Sequence, residues 1–259
     1  MKMVKSCKNK ALGALLCFLV IAAVLICPCA LSAKAPELAA KALEDEISKA
    51  LGKAIACKKM EVLVRLSKDK PGEIRILAVR MEGTALGKMA ADYVTVIYEK
   101  PVIDIDQLQK AKKFKILSSA KTRVSILISA RSVEAYITSR AKQLQIKNYR
   151  ASIRFSPPYA ECLFNVPASA VSPKILKILD KFVKGNRLEG YAAVRLTAGA
   201  NTLSAAPAKV IVNHFVIPDA ILKELQRMVN PSDRIPVLSP FQYSINKVAV
   251  QNNYIFMTN

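Results

Sequence analysis

Along residues 37–53 the apolar positions Leu38, Ala42, Ile47 and Leu51 recur at helical spacing, with Pro36 placed for a helix start and Gly52 for its end. This predicts an entry helix. The period then changes. Residues 60–66, 73–82, 93–99 and 122–129 are rich in β-branched side chains and are separated by Lys68-Asp-Lys-Pro-Gly72 and by a turn region bounded by Gly83 and Gly87. They predict an antiparallel meander. Ser132 signals a second helix, with Val133, Tyr136, Ile137, Ala141 and Leu144 on one face. Residues 146–155 and 159–166 then predict a strand pair about Pro157-Pro158. Residues 188–197 and 208–217 read as further strands, 219–229 as a helix, and 241–250 with 254–258 as a closing hairpin around Asn252-Asn253.

Between these elements lies SPKILKILDKFVKG, residues 172–185. At 100° per residue its lysines Lys174, Lys177, Lys181 and Lys184 fall on one arc, while Ile175, Leu176, Leu179, Phe182 and Val183 fill the opposite one. Helices interspersed among meanders predict an α+β fold. No linker-like or low-complexity tract interrupts residues 36–259, which predicts one elongated domain. Strand, strand and helix recur three times, without sequence identity between the copies.

Charge changes the picture most. Lys and Arg number 40 against 19 Asp and Glu, a formal charge of +21, which implies an acidic partner. Lys2, Lys5, Lys8 and Lys10 precede an uncharged, apolar run over 11–33 and a small-residue stretch ending near Pro36. Residues 1–35 therefore predict a secretory signal peptide or an uncleaved N-terminal membrane anchor. Residues 1–35 hold these four lysines, Lys34 and no acidic residue, so 36–259 keeps +16 of the +21 (21 − 5) and the basic character belongs to the folded part. Export argues against nucleic acid and leaves phospholipid, an anionic membrane surface or an anionic wall polymer. Cys7, Cys17, Cys27 and Cys29 fall in the leader, whereas Cys57 and Cys162 in the body are either a disulfide or two buried thiols.

Little in the body carries catalytic chemistry. His214 is the one histidine, in a run of alternating apolar residues, and one histidine does not build a typical zinc site. No serine stands in a nucleophile elbow, and Gly83-Thr-Ala-Leu-Gly87-Lys88-Met89 lacks the spacing and the hydroxyl of a phosphate loop. Asp104 and Asp106 would share one face of an extended segment, but they precede the basic stretch Lys110, Lys112, Lys113 and Lys115 and read as solvated. The expectation is a non-enzyme with no cofactor and no metal. Phe114, set among those lysines, reads either as an interfacial anchor at anionic lipid or as part of a solvated loop.

Three segments resemble the LmeA-like phospholipid-binding family of bacterial envelopes, long labelled a domain of unknown function. They are GEIRILAVRMEG (72–83), SARSVEAYI (129–137), and IPDAIL (217–222) followed by NPSDRIP (230–236). The resemblance covers residues 38–259. It implies a relative of tubular lipid-binding folds, in which a strongly curved antiparallel sheet with helices forms an elongated apolar groove for acyl chains, without a catalytic set. On that basis Ile175, Leu176, Leu179, Phe182, Ile221, Leu222, Leu225 and Met228 are candidates to line the groove. Lys110, Lys112, Lys113, Lys115, Lys174, Lys177, Lys181 and Lys184 are candidates to meet anionic head groups. The competing reading is a membrane-tethered envelope scaffold that binds an anionic wall polymer through its lysines.

Overall fold

The structure is a computed structural model that describes residues 35–70, 72–87, 89–143, 145–183, 185–229, 233–235 and 237–259, with backbone only for 35–37, 225–229 and 233–234. The expected leader lies outside the described residues.

The entry helix, α1 (Ala35–Ala54), leads into β1 (Lys59–Leu66), β2 (Ile74–Leu86) and β3 (Met89–Glu99). A small lobe follows, made of β4 (Val102–Ile103), α2 (Ile105–Ala111) and β5 (Ile116–Ser118). β6 (Lys121–Ser129) completes the meander, and α3 (Ala130–Gln143) leads to β7 (Arg150–Ser156) and β8 (Tyr159–Pro167). Next come α4 (Pro173–Leu179), β9 (Arg187–Gly199), β10 (Thr202–Val212), β11 (Phe215–Val216) and α5 (Asp219–Val229). The chain closes through β12 (Asp233–Arg234), β13 (Lys247–Val250) and β14 (Tyr254–Thr258).

The fold is α+β and antiparallel. One sheet has the order β1-β2-β3-β6-β14-β13 and the second the order β11-β10-β9-β8-β7, with β12 beside β10. The closing hairpin thus does not stand alone: β14 pairs with β6 and extends the first sheet.

The recurrence expected from the sequence takes a different form, a helix followed by a four-strand meander, used twice. α1 precedes β1-β2-β3-β6, and α3 precedes β7-β8-β9-β10. In both units a helix glutamate accepts an N–H of the first strand, which lies at a sheet edge. Glu44 accepts from Val64 at 2.8 Å and Glu134 from Ile153 at 2.6 Å. An edge strand has unpaired donors, so a carboxylate from the preceding helix both docks the helix and blunts the edge. The units differ in their insertions: the β4-α2-β5 lobe between the third and fourth strands of the first, α4 between the second and third of the second. At the join, Asp92 on β3 accepts from the Ser129 N–H (2.6 Å) and the Ser132 hydroxyl (3.0 Å), fixing the start of α3.

Several local expectations are corrected. Residues 104–106 are not extended: Asp104 is the N-cap of α2 and accepts from the Gln107 N–H at 2.9 Å. The basic helix expected over 173–184 ends at Leu179 and tightens into a 3-10 turn at Asp180–Phe182. His214 is not a strand residue. With Asn213 it forms the two-residue turn between β10 and β11, both at positive φ (48° and 72°). Cys57 and Cys162 are both free and half-buried.

Candidate functional site

The two sheets are built alike and filled differently. Cross-strand register puts Leu77, Val79 and Met81 of β2 on one face with Val94, Val96 and Tyr98 of β3. Val124, Ile126 and Ile128 of β6 share that face, as do Ile255 and Met257 of β14. None of these is more than 7% exposed, and α1 contributes Ile47, Ala50 and Leu51 to the same core. This is ordinary interior packing.

In the second sheet the corresponding face is just as apolar. Register aligns Ala151, Ile153 and Phe155 of β7 with Ala160, Cys162 and Phe164 of β8. It also sets Ala192 and Val194 of β9 beside Cys162 and Ala160, with Leu196 next along that face, and pairs Val194 and Leu196 with Pro207 and Ala205 of β10. Of this set only Phe155 is buried; the others are half-buried, including those on the central strands β8 and β9. Small side chains dominate the middle. Gly190 is required among them, because a Cβ there would lie 2.1 Å from the Ile211 carbonyl oxygen and 2.8 Å from the Phe164 ring. The two ends of the face are packed. One end, with Phe155, Ile153, Ala160, Leu196, Ala198 and Leu203, belongs to the first sheet's core. The other end, with Leu188 and Val212, lies under α4 and α5.

The expected groove residues lie at that second end. Leu179 (5% exposed) and Leu222 (6%) are buried with Leu188, Val212 and Ile217, and Ile175, Leu176, Phe182 and Ile221 pack around them. These side chains form a packed cap over the end of the sheet. Those of Leu225 and Met228, and all of Lys184, lie outside what the structure describes. Lys174, Lys177 and Lys181 are exposed. The half-open face was missed from the sequence. Its signal is a set of small residues on neighbouring strands: 162, 190 and 192, and 205.

A polar group borders this face. The Glu134 carboxylate lies near Tyr149 and Cys162. Burial, then the neighbouring Cys162 and Glu134, push the Tyr149 hydroxyl up to about 12. Burial and then Glu134 raise the Cys162 thiol, which is thereby held in its protonated, unreactive form. Among the described residues no three His, Cys, Asp or Glu side chains lie close enough to hold a metal ion.

The other set of expected lysines belongs to the β4-α2-β5 lobe. Lys110, Lys112, Lys113 and Lys115 are all exposed. Lys110 pairs with Asp106 at 2.9 Å and Lys112 with Glu46 of α1 at 2.8 Å. The Lys112 hydrogen bond, the largest influence, holds the Glu46 carboxyl below its ordinary value. Phe114 is not an interfacial anchor: it is 5% exposed and meets Phe241 edge-on, with ring centroids 6.1 Å apart. Lys113 and Lys115 flank it in sequence and are exposed. A depression of about 490 Å³ lies here, lined by Lys53 at the end of α1, by Lys112, Lys113 and Lys115, and by Phe114 and Pro240. The two lysine groups are not brought together, since Phe114 belongs to the first core and α4 to the second.

The chain matches no protein-family model, no curated protein and no solved structure.

Proposed function

We propose that this is an exported cell-envelope protein that holds lipid acyl chains against the apolar face of its second sheet, as the LmeA-like resemblance implies. One observation carries this reading. Two sheets of the same construction have equally apolar faces, and the one whose middle holds Cys162, Gly190, Ala192, Val194, Ala205 and Pro207 is only half-buried between two packed ends. Water gains nothing from such a face, whereas an acyl chain laid along it contributes about 0.8 kcal/mol per buried CH₂. Roughly ten methylenes give about 8 kcal/mol before ordering costs, enough to retain a lipid without covalent chemistry. In this reading β7 to β10 form the wall of an elongated groove in a tubular lipid-binding-like fold, α4 and α5 close one end, and their exposed lysines favour an anionic head group.

The test is to purify the protein without detergent and extract it for lipid mass spectrometry. A phospholipid present in stoichiometric amount is the expected result and names the cargo. A folded protein free of lipid overturns the reading and shifts weight to polymer binding through the lysine-rich surface, which salt would weaken.

A further inference from the structure

The β4-α2-β5 lobe combines two properties that nothing in its packing requires. Among the described residues nine large apolar side chains are exposed, and three of them, Val102 (51%), Ile105 (43%) and Leu117 (54%), fall within residues 102–118. Ile103 pairs with Ile116 and both are buried; Val102 pairs with Ser118 across an irregularity that leaves Leu117 as the extra residue of β5, and Val102 and Leu117 are both exposed. Beside this apolar tip lies the lysine-lined depression. No carboxylate lines it, and among the described residues Lys53, Lys113 and Lys115 have no acidic partner. Four lysines face one carboxylate, Glu46, and the ends of α1 and α2, each worth about half a negative charge. A net charge of about two positive units remains unanswered. Lys112 stands in the left-handed conformation at the end of α2 (φ 54°), which turns the chain so that the following lysines border the end of α1.

We infer that this lobe is a docking element for an anionic phospholipid membrane surface: Val102, Leu117 and Ile105 enter the boundary between head groups and chains, and Lys53, Lys113 and Lys115 take lipid phosphates. Charge complementarity selects this occupant. A protein partner would match the apolar tip equally well but gives no reason for clustered, unpaired lysines around it. The inference goes beyond the acyl-chain reading and uses none of the second sheet's residues.

The chain contains no tryptophan, so one introduced tryptophan reports its own surroundings. In the full chain, Leu117→Trp and, separately, Val102→Trp are mixed with vesicles of phosphatidylglycerol or of phosphatidylcholine. Leu163→Trp, at an equally exposed apolar position on the second sheet (52%), is the control. Both lobe reporters are expected to shift to the blue and to be quenched by brominated acyl chains in phosphatidylglycerol only, while the control does neither. Changing Lys53, Lys113 and Lys115 together to Gln moves the midpoint of the quenching titration about 100-fold to higher lipid. Lobe reporters that ignore phosphatidylglycerol, that respond equally to both lipids, or that behave like the control overturn the inference. Cargo extraction from the same protein separates the two proposals: inserted lobe reporters without co-purified lipid leave docking standing and remove the acyl-chain reading, and the converse removes docking alone.

Discussion

Ala192→Leu tests whether the apolar face of the second sheet is open or packed. Ala192 sits mid-strand on β9, between Cys162 on β8 and Val210 on β10, and is half-buried. Leucine adds three carbon atoms. If they enter open apolar space they remove about 2.4 kcal/mol worth of hydrocarbon from water, at about 0.8 kcal/mol per carbon. For a chain of this size that raises the thermal midpoint of lipid-stripped protein by about 5–10 °C. If the face is packed, overpacking costs about 1–3 kcal/mol and the midpoint falls. The sign therefore decides. Ala91→Leu is the paired control, since Ala91 on β3 is 0% exposed in the filled core and must lose stability. Calorimetry on stripped protein gives the sign, and lipid mass spectrometry on unstripped protein shows whether leucine displaces cargo. Loss of stability equal to that of Ala91→Leu, with lipid content unchanged, would refute the reasoning.

Gly190→Ala should destabilise by about 3 kcal/mol or more, because the added carbon meets the Ile211 backbone oxygen and not a side chain that can swing away; an unchanged denaturation midpoint sinks this account of the strand. Phe114→Ala should cost about 3–5 kcal/mol in a urea titration, as expected of a buried ring and not of an exposed anchor, for which the cost would be near zero. The Glu46 carboxyl is lower in the folded state than its ordinary value, so its contribution is present above that value and is lost as pH falls through the lowered one. The stability difference between the wild type and Glu46→Gln should accordingly vanish in acid and be constant from neutral pH upward, measured by denaturant titration across pH; a difference that persists in acid would mean the Lys112 pair is not its source.

Long elements were legible because each repeats a simple period over many residues. α1 and the meander strands lie close to where helical spacing and alternation put them; the closing hairpin keeps its turn at Asn252-Asn253 and its second strand, but its first strand forms only over Lys247–Val250 of the expected 241–250. Short elements were not. α2 has seven residues, too few for periodicity to speak, and its N-cap Asp104 looks in sequence like one of two solvated carboxylates. Phe114 was ambiguous for a related reason: lysines on both sides suggest water, and only the arrival of Phe241 from much later in the chain supplies a core. The same limit hides the lysine depression, because Lys53 joins Lys113 and Lys115 only through the contact of α1 with α2. Where Asn213 and His214 interrupt the apolar run over 210–217, the asparagine was the turn signal, and the flanking alternation outweighed it.

The two units show how one fold can supply both a filled core and an unfilled apolar face. Each has a helix, a glutamate that docks it to the first strand, and a meander with one apolar face. The first unit meets that face with Ile47, Ala50 and Leu51 of α1 and fills it with Val, Leu, Met, Ile and Tyr side chains that leave no room. In the second unit the middle positions are mostly small, Cys162, Gly190, Ala192 and Ala205 beside Val194, which keep the backbone pairing intact while withholding the volume that would close the interior. Small residues in a strand forgo packing energy, and a sheet tolerates them when its ends are fastened. Here the first core holds one end and α4 with α5 hold the other. A sheet fastened at both ends can leave its centre unfilled without unravelling, which is the mechanical condition that the proposed acyl-chain binding requires.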